Sequence, residues 1–82
     1  MNAGEFRKSR LGNSFVCVLE RLNSTDCVTY LTIIPSRGGV DRWSDTCTYV
    51  NYWFNTVITK EEFLAVYKQA VEVQIQLLEE FL

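Results

Sequence analysis

The chain has 82 residues, 48% of them apolar, and a formal net charge of −2. That length allows one domain with a thin stability margin, because so short a chain buries only about 60% of its unfolded surface. The acidic balance weighs against a general binder of nucleic acid or of anionic membrane, and no run approaches the ~18 apolar residues of a membrane span.

Residues 1–12 are polar and contain Gly4 and Gly12; they read as a partly ordered N-terminal tail ahead of a single domain over residues 13–82. No apolar run follows the charges of "MNAGEFRKSR", so no secretory leader is expected. Residues 14–22, "SFVCVLERL", predict a strand. Asn23 to Asp26 form a polar turn, with Ser24-Thr25 as the tip of a two-residue hairpin. Residues 27–35, "CVTYLTIIP", are rich in β-branched and aromatic types and predict a second strand. Pro35 and the following Ser36-Arg37-Gly38-Gly39 stop it, and a loop runs to about Asp45. Residues 46–57 predict a third, long strand.

The helix start is the sharpest local signal. Thr59 and Glu62 stand at the N-cap and N3 positions of a capping box, with Ile58 and Phe63 at the hydrophobic staple positions. The helix is expected from Lys60 to near Leu82. Its apolar arc, roughly 200° wide, exceeds what a surface helix minimally needs. It therefore either sinks into a curved sheet or also meets a second subunit or partner. The fold class is α+β: a three-stranded antiparallel meander with one long C-terminal helix packed on one face (βββα).

The assumed hairpin pairs Val18 with Leu31 and Cys17 with Thr32. One face of the sheet then carries Val16, Val18, Leu22, Cys27, Leu31, Ile33, Val50, Tyr52, Phe54 and Ile58, and is assigned to the helix. The other carries Phe15, Cys17, Leu19, Arg21, Val28, Tyr30, Thr32, Ile34, Cys47, Tyr49, Asn51, Trp53 and Asn55. A one-residue slip would exchange the faces. Solvent-facing sides of antiparallel sheets usually turn polar, whereas this one keeps large rings beside amides, the composition of an interface. Tyr30, Tyr49, Asn51, Trp53 and Asn55 are the candidate partner-binding residues. At the pole where the helix should end, Arg37, Arg42 and Trp43 are candidates for contact with an anion or a partner.

Tests for chemistry are negative. Histidine is absent, which removes the commonest neutral-pH base and metal ligand. No nucleophile-elbow or phosphate-loop spacing occurs; "SRGGVDR" reads as a turn. Glu61 and Glu62 are accounted for by helix capping. Basic residues are too few near Tyr30, Tyr49 and Trp53 for a single-strand stacking platform. Cys17, Cys27 and Cys47 are odd in number and lack Cys-x-x-Cys spacing. They read as reduced, small apolar core residues in a cytoplasmic setting, with no metal or cofactor expected. In that setting the Asn23-Ser24-Thr25 sequon is a turn and not a glycosylation site.

The sequence thus points to a non-catalytic protein-binding module, a homodimer or a stoichiometric inhibitor or adaptor. Phage and other mobile elements supply analogues in size and charge. The acidic stripe Glu61, Glu62, Glu72, Glu79 and Glu80 would suit a basic target surface. The alternative is a small-molecule binder, for an anionic or nucleotide-like ligand, with its pocket at a dimer interface.

Overall fold

A computed structural model describes residues 1–22 and 26–82. The hairpin tip expected at Ser24-Thr25, and the Asn23 sequon with it, lie outside the described residues. Among the described residues the strands are β1 (Phe6–Lys8), β2 (Phe15–Leu22), β3 (Cys27–Ile34), β4 (Gly39–Thr46) and β5 (Thr56–Ile58). The helices are α1 (Cys47–Trp53) and α2 (Lys60–Phe81). The fold is α+β, with an antiparallel sheet and one long C-terminal helix, but the sheet has five strands and not three. Its order is β4-β3-β2-β1-β5, every pair antiparallel.

Two segments depart from the predicted meander. The third strand of the meander is β4, which replaces the loop expected before Asp45. Its residues, "GVDRWSDT", are mostly exposed on both faces, so no alternation of apolar and polar marks it. Charged side chains such as Asp41, Arg42 and Asp45 are what an edge strand carries to discourage pairing with another chain. The stretch 46–57, expected as one strand, is α1 followed by the short β5. Thr46 caps α1, its hydroxyl accepting from the Tyr49 N–H at 3.1 Å. Cys47, Val50 and Phe54 are buried, a spacing of three and four that belongs to a helix. The aromatic and β-branched content of this segment favours strand on propensity, but burial of that helical stripe decides.

The β2–β3 register explains the assignment of faces. Near the turn, Leu22 pairs with Cys27, Arg21 with Val28 and Glu20 with Thr29, the register assumed above. Leu19 then bulges out, and beyond it Val18 faces Tyr30 and Cys17 faces Leu31. One extra residue in β2 moves its outer half to opposite faces. Val16 and Val18, expected under the long helix, instead lie with Val28, Tyr30, Cys47, Val50 and Phe54. Phe15, with Cys17 and Leu31 at its edge, joins Ile33, Phe63 and Ala70 under α2.

The domain is therefore a sheet covered on both faces. α1 covers one and α2 the other, and each core is a short layer of fully or nearly buried side chains. Val16, Val18, Val28, Ile33 and Val50 are completely buried or nearly so, each contributing about 1.5–3 kcal/mol relative to exposure. Residues expected in the partly ordered tail contribute to both sides. Phe6 in β1 stacks obliquely on Phe63 at 5.0 Å, and Met1 packs on the α1 core.

The N-cap of α2 is as predicted: the Thr59 hydroxyl accepts from the Glu62 N–H at 3.1 Å. Ile58 and Phe63 both join the core beneath the helix. α2 crosses the sheet toward a 3-10 turn at Pro35–Arg37, where the Gln74 amide donates to the Gly38 carbonyl at 2.7 Å. Gly38, at φ +67°, lets that turn lie directly against the helix backbone. Beyond Gln74, every residue of α2 is exposed, and the molecule is correspondingly long, 46 × 21 × 19 Å.

Candidate functional site

The second face of the sheet, whose rings the sequence left without a cover, lies beneath α1. Two bonds hold the start of α1: the Cys47 N–H donates to the Asp26 carbonyl at 2.8 Å, and the Thr48 hydroxyl to the Asp26 carboxylate at 3.2 Å. Its C-terminal end is held by two arginines. Arg7 donates to the Phe54 carbonyl at 3.2 Å and to the Asn51 side chain at 2.7 Å. Arg10 donates from Nε to the Tyr52 carbonyl at 2.6 Å, and its guanidinium lies 4.5 Å from the centre of the Tyr52 ring. Cations at a helix C-terminus satisfy orphan carbonyls and complement the dipole. These two arginines thus serve the short helix α1.

Glu5 pairs with Arg7 at 3.0 Å. Burial alone would raise the Glu5 carboxyl, but the hydrogen bond and charge of Arg7 outweigh it and hold the carboxyl below its ordinary range.

Fixing α1 in this way leaves a cleft of about 430 Å³ between the helix and strands β3 and β4, lined by Ser14, Tyr30, Thr32, Ile34, Trp43, Asp45, Tyr49 and Phe54. A smaller cleft of about 180 Å³ lies on the other side of Tyr49, between α1 and the β1–β2 turn. Trp43, Tyr49 and Trp53 line these clefts and Tyr52 adjoins Trp53, each between 42% and 58% exposed. Tyr52 meets Trp53 edge to face at 5.1 Å, and Tyr49 meets Trp53 at 6.4 Å. Such contacts hold rings in place without sealing them from a partner.

Of the residues singled out from sequence, Tyr30 and Tyr49 line the larger cleft, and Trp53 lines the smaller. Asn51 and Asn55 line neither; Asn51 is engaged by Arg7 and Asn55 by the Thr56 hydroxyl. Trp43, grouped above with Arg37 and Arg42, belongs to the cleft without them. Arg42 pairs with Leu31 and Trp43 with Tyr30 in the ladder, so the two side chains leave β4 on opposite faces. Arg37 sits in the 3-10 turn at the α2 side. The structure thus does not assemble Arg37, Arg42 and Trp43 into one site.

Sequence reading missed Ser14, Asp45, Phe54 and Tyr52. The Cys47-Val50-Phe54 spacing, read at helical period, would have recovered Tyr52 and Phe54; Asp45 needed β4 to be seen as a strand.

Asp41, Trp43 and Asp45 alternate along β4 and share the face of the cleft. Trp43 is thus flanked by two carboxylates. The Tyr30 hydroxyl is pushed up from its ordinary range by burial, with the charges of Asp45 and Tyr49 adding to the shift. It is therefore a protonated donor at neutral pH. A spectroscopic titration at 295 nm is expected to show a tyrosine phase above the ordinary range near pH 10, absent from Tyr30→Phe. Because the folded hydroxyl titrates later than the unfolded one, its contribution to stability is full below pH ~10 and lost as pH rises through the folded value.

Cys17 and Cys27 lie on the α2 side of the sheet and Cys47 on the α1 side, the reverse of the expected grouping of Cys17 with Cys47. Burial pushes the Cys17 thiol up. Among the described residues, no group of three potential metal ligands converges, and no helix is long and apolar enough to cross a membrane. Comparison of the chain with protein-family models, with curated proteins and with solved structures gave no match.

Proposed function

We propose that the chain is a non-catalytic protein-binding module that docks a partner through the aromatic cleft beside α1, as a stoichiometric inhibitor or adaptor does. The observation that carries this reading is the cluster of Trp43, Tyr49, Tyr52 and Trp53, all about half exposed on one side of so small a molecule. Tyr and Trp are the residues that most often anchor protein interfaces, because they offer large area at little entropic cost. The flanking Asp41 and Asp45 define the partner's chemistry. An arginine or lysine laid over the Trp43 ring would gain cation–π attraction and a carboxylate partner together. An apolar neighbour in the same segment would fill the cleft against Ile34 and Phe54.

Selection from a displayed random-peptide library tests this. Enriched peptides should carry a basic residue next to an apolar one, and Trp43→Ser should weaken them at least tenfold. No enrichment, or peptides indifferent to Trp43→Ser, would refute the reading.

The cleft volume gives a second reading some support, since about 430 Å³ falls in the range of small-molecule pockets. The acidic rim then favours a cation, in place of the anion expected from sequence. Thermal stabilisation by cationic metabolites, abolished in Trp43→Ser and unaccompanied by peptide enrichment, would select it.

A further inference from the structure

The sheet accounts for only part of the apolar surface of α2. At 100° per residue, Phe63, Ala70, Gln74, Leu77 and Phe81 share one line along the helix. The first two are buried on the sheet, and Gln74 reaches the 3-10 turn. A second line, a quarter-turn away, consists of Leu64, Tyr67, Val71, Ile75, Leu78 and Leu82. Five of its six residues are between 37% and fully exposed, and Val71 is half-buried. This stripe runs the whole ~33 Å of the helix, and past Gln74 the first line joins it. Exposed Leu77, Leu78 and Phe81, with half-buried Gln74, line an open groove of about 370 Å³.

We infer that this flank of α2 is covered by the same flank of a second copy, in an antiparallel helix pair. Three observations choose that occupant. The first is area. A half-exposed large side chain offers on the order of 100 Å². The stripe therefore offers roughly 600 Å² per copy, and two copies reach about 1,200 Å², the lower end of stable specific interfaces.

The second is the spacing along Tyr67, Val71, Ile75, Leu78 and Leu82, in steps of four, four, three and four, which lets one helix set its side chains between those of another.

The third is charge. Lys68 and Glu79 lie on one edge of the stripe, three turns apart. In an antiparallel pair like edges meet, and a two-fold axis level with Val73–Gln74 places Lys68 beside Glu79 of the second copy, twice. It also sets the two helix dipoles head to tail. A parallel pair would instead set Lys68 of one copy and Glu79 of the other on opposite edges of the interface, where they could not meet, and would place the two helix C-termini, both partially negative, side by side. The interface uses neither α1 nor its cleft, so the dimer would present two binding sites.

Sedimentation equilibrium of the intact protein at 1–500 µM tests this. A dimer is expected, and Ile75→Glu with Leu78→Glu should weaken it at least a hundredfold while leaving the circular dichroism of the fold unchanged. Lys68→Glu should weaken it several-fold, and Lys68→Glu with Glu79→Lys should restore it. A monomer throughout the range would overturn the inference. So would a dimer indifferent to the Ile75/Leu78 pair, or a charge exchange that fails to rescue. Parallel sedimentation with phosphatidylcholine vesicles covers the other occupant: a monomer that binds them would assign the stripe to lipid and overturn the dimer.

Discussion

Replacing Phe63 with alanine is expected to cost about 3–5 kcal/mol, the range for an aromatic truncated in a packed core. Phe63 is 4% exposed, shares its core with Phe15, Ile33 and Ala70, and packs against Phe6 of β1. Its ring joins the first turn of α2 to strands from distant parts of the chain. A small domain has only about 5–15 kcal/mol in all, so this one change should remove a large fraction. Urea denaturation followed by circular dichroism measures it. Leu64→Ala is the comparison. Leu64 is next in sequence but 44% exposed on the outer flank, and its truncation in the monomer should cost less than about 1 kcal/mol. Equal losses would mean that α2 is rotated about its axis relative to the arrangement described.

Gly38→Ala is the second large effect, and it separates two causes. Gly38 holds φ at +67°, where a side chain costs about 1–2 kcal/mol. A Cβ there would also stand 3.0 Å from the Gln74 backbone nitrogen and 3.2 Å from the Ala70 carbonyl oxygen. Backbone cannot swing aside as a flexible side chain can, and overpacking of this kind adds about 1–3 kcal/mol. The total expected is about 2–5 kcal/mol. Gly4→Ala supplies the conformational part alone, since Gly4 has φ +85° and open space around it. The difference between the two midpoints, at unchanged denaturant slope, reports how closely α2 lies on the turn. If both variants lose the same stability, the helix does not rest on Gly38.

How legible the fold was varied element by element, for physical reasons. α2 announced itself because its cap, staple and periodicity are all local. β2 and β3 were legible as strands, and their pairing was legible as far as Glu20. The bulge at Leu19 carries no residue signature, since any residue can occupy it. One unannounced residue was enough to send Val16 and Val18 to the face opposite the one expected. β4 was hidden by its place at the edge, where exposure on both faces erases alternation. α1 was hidden because its residues prefer strands when judged singly, and only burial of every third and fourth residue makes it a helix. β1 and β5, at three residues each, are too short to show any period. The candidate site inherits these errors selectively. Tyr30, Tyr49 and Trp53 do line the two clefts, and they stood out because large rings in a polar setting are conspicuous on any backbone. Asn51 and Asn55 were grouped with them by an assumed strand over 46–57, where a helix stands, and Trp43 was grouped with Arg37 and Arg42 by the expected end of the long helix, before the β4 register that separates them could be seen.

The strand order has a consequence for how the domain assembles. β2, β3 and β4 join neighbours in sequence, so their hairpins can close quickly and early. β1 and β5 pair with each other across nearly the whole intervening chain, through Phe6↔Ile58 and Lys8↔Thr56. That contact must wait until the meander and α1 have drawn the two segments together, because the entropy of closing so long a loop is repaid only by what they then bury. β1 can join β2 early through its own short hairpin, and Phe63 docks on Phe6 directly after β5 closes on β1, so α2 and β5 complete the sheet together. The β1–β5 pair should be the first to part when the native state opens locally, which makes that edge the latch of the molecule and the β2–β3 hairpin its hinge.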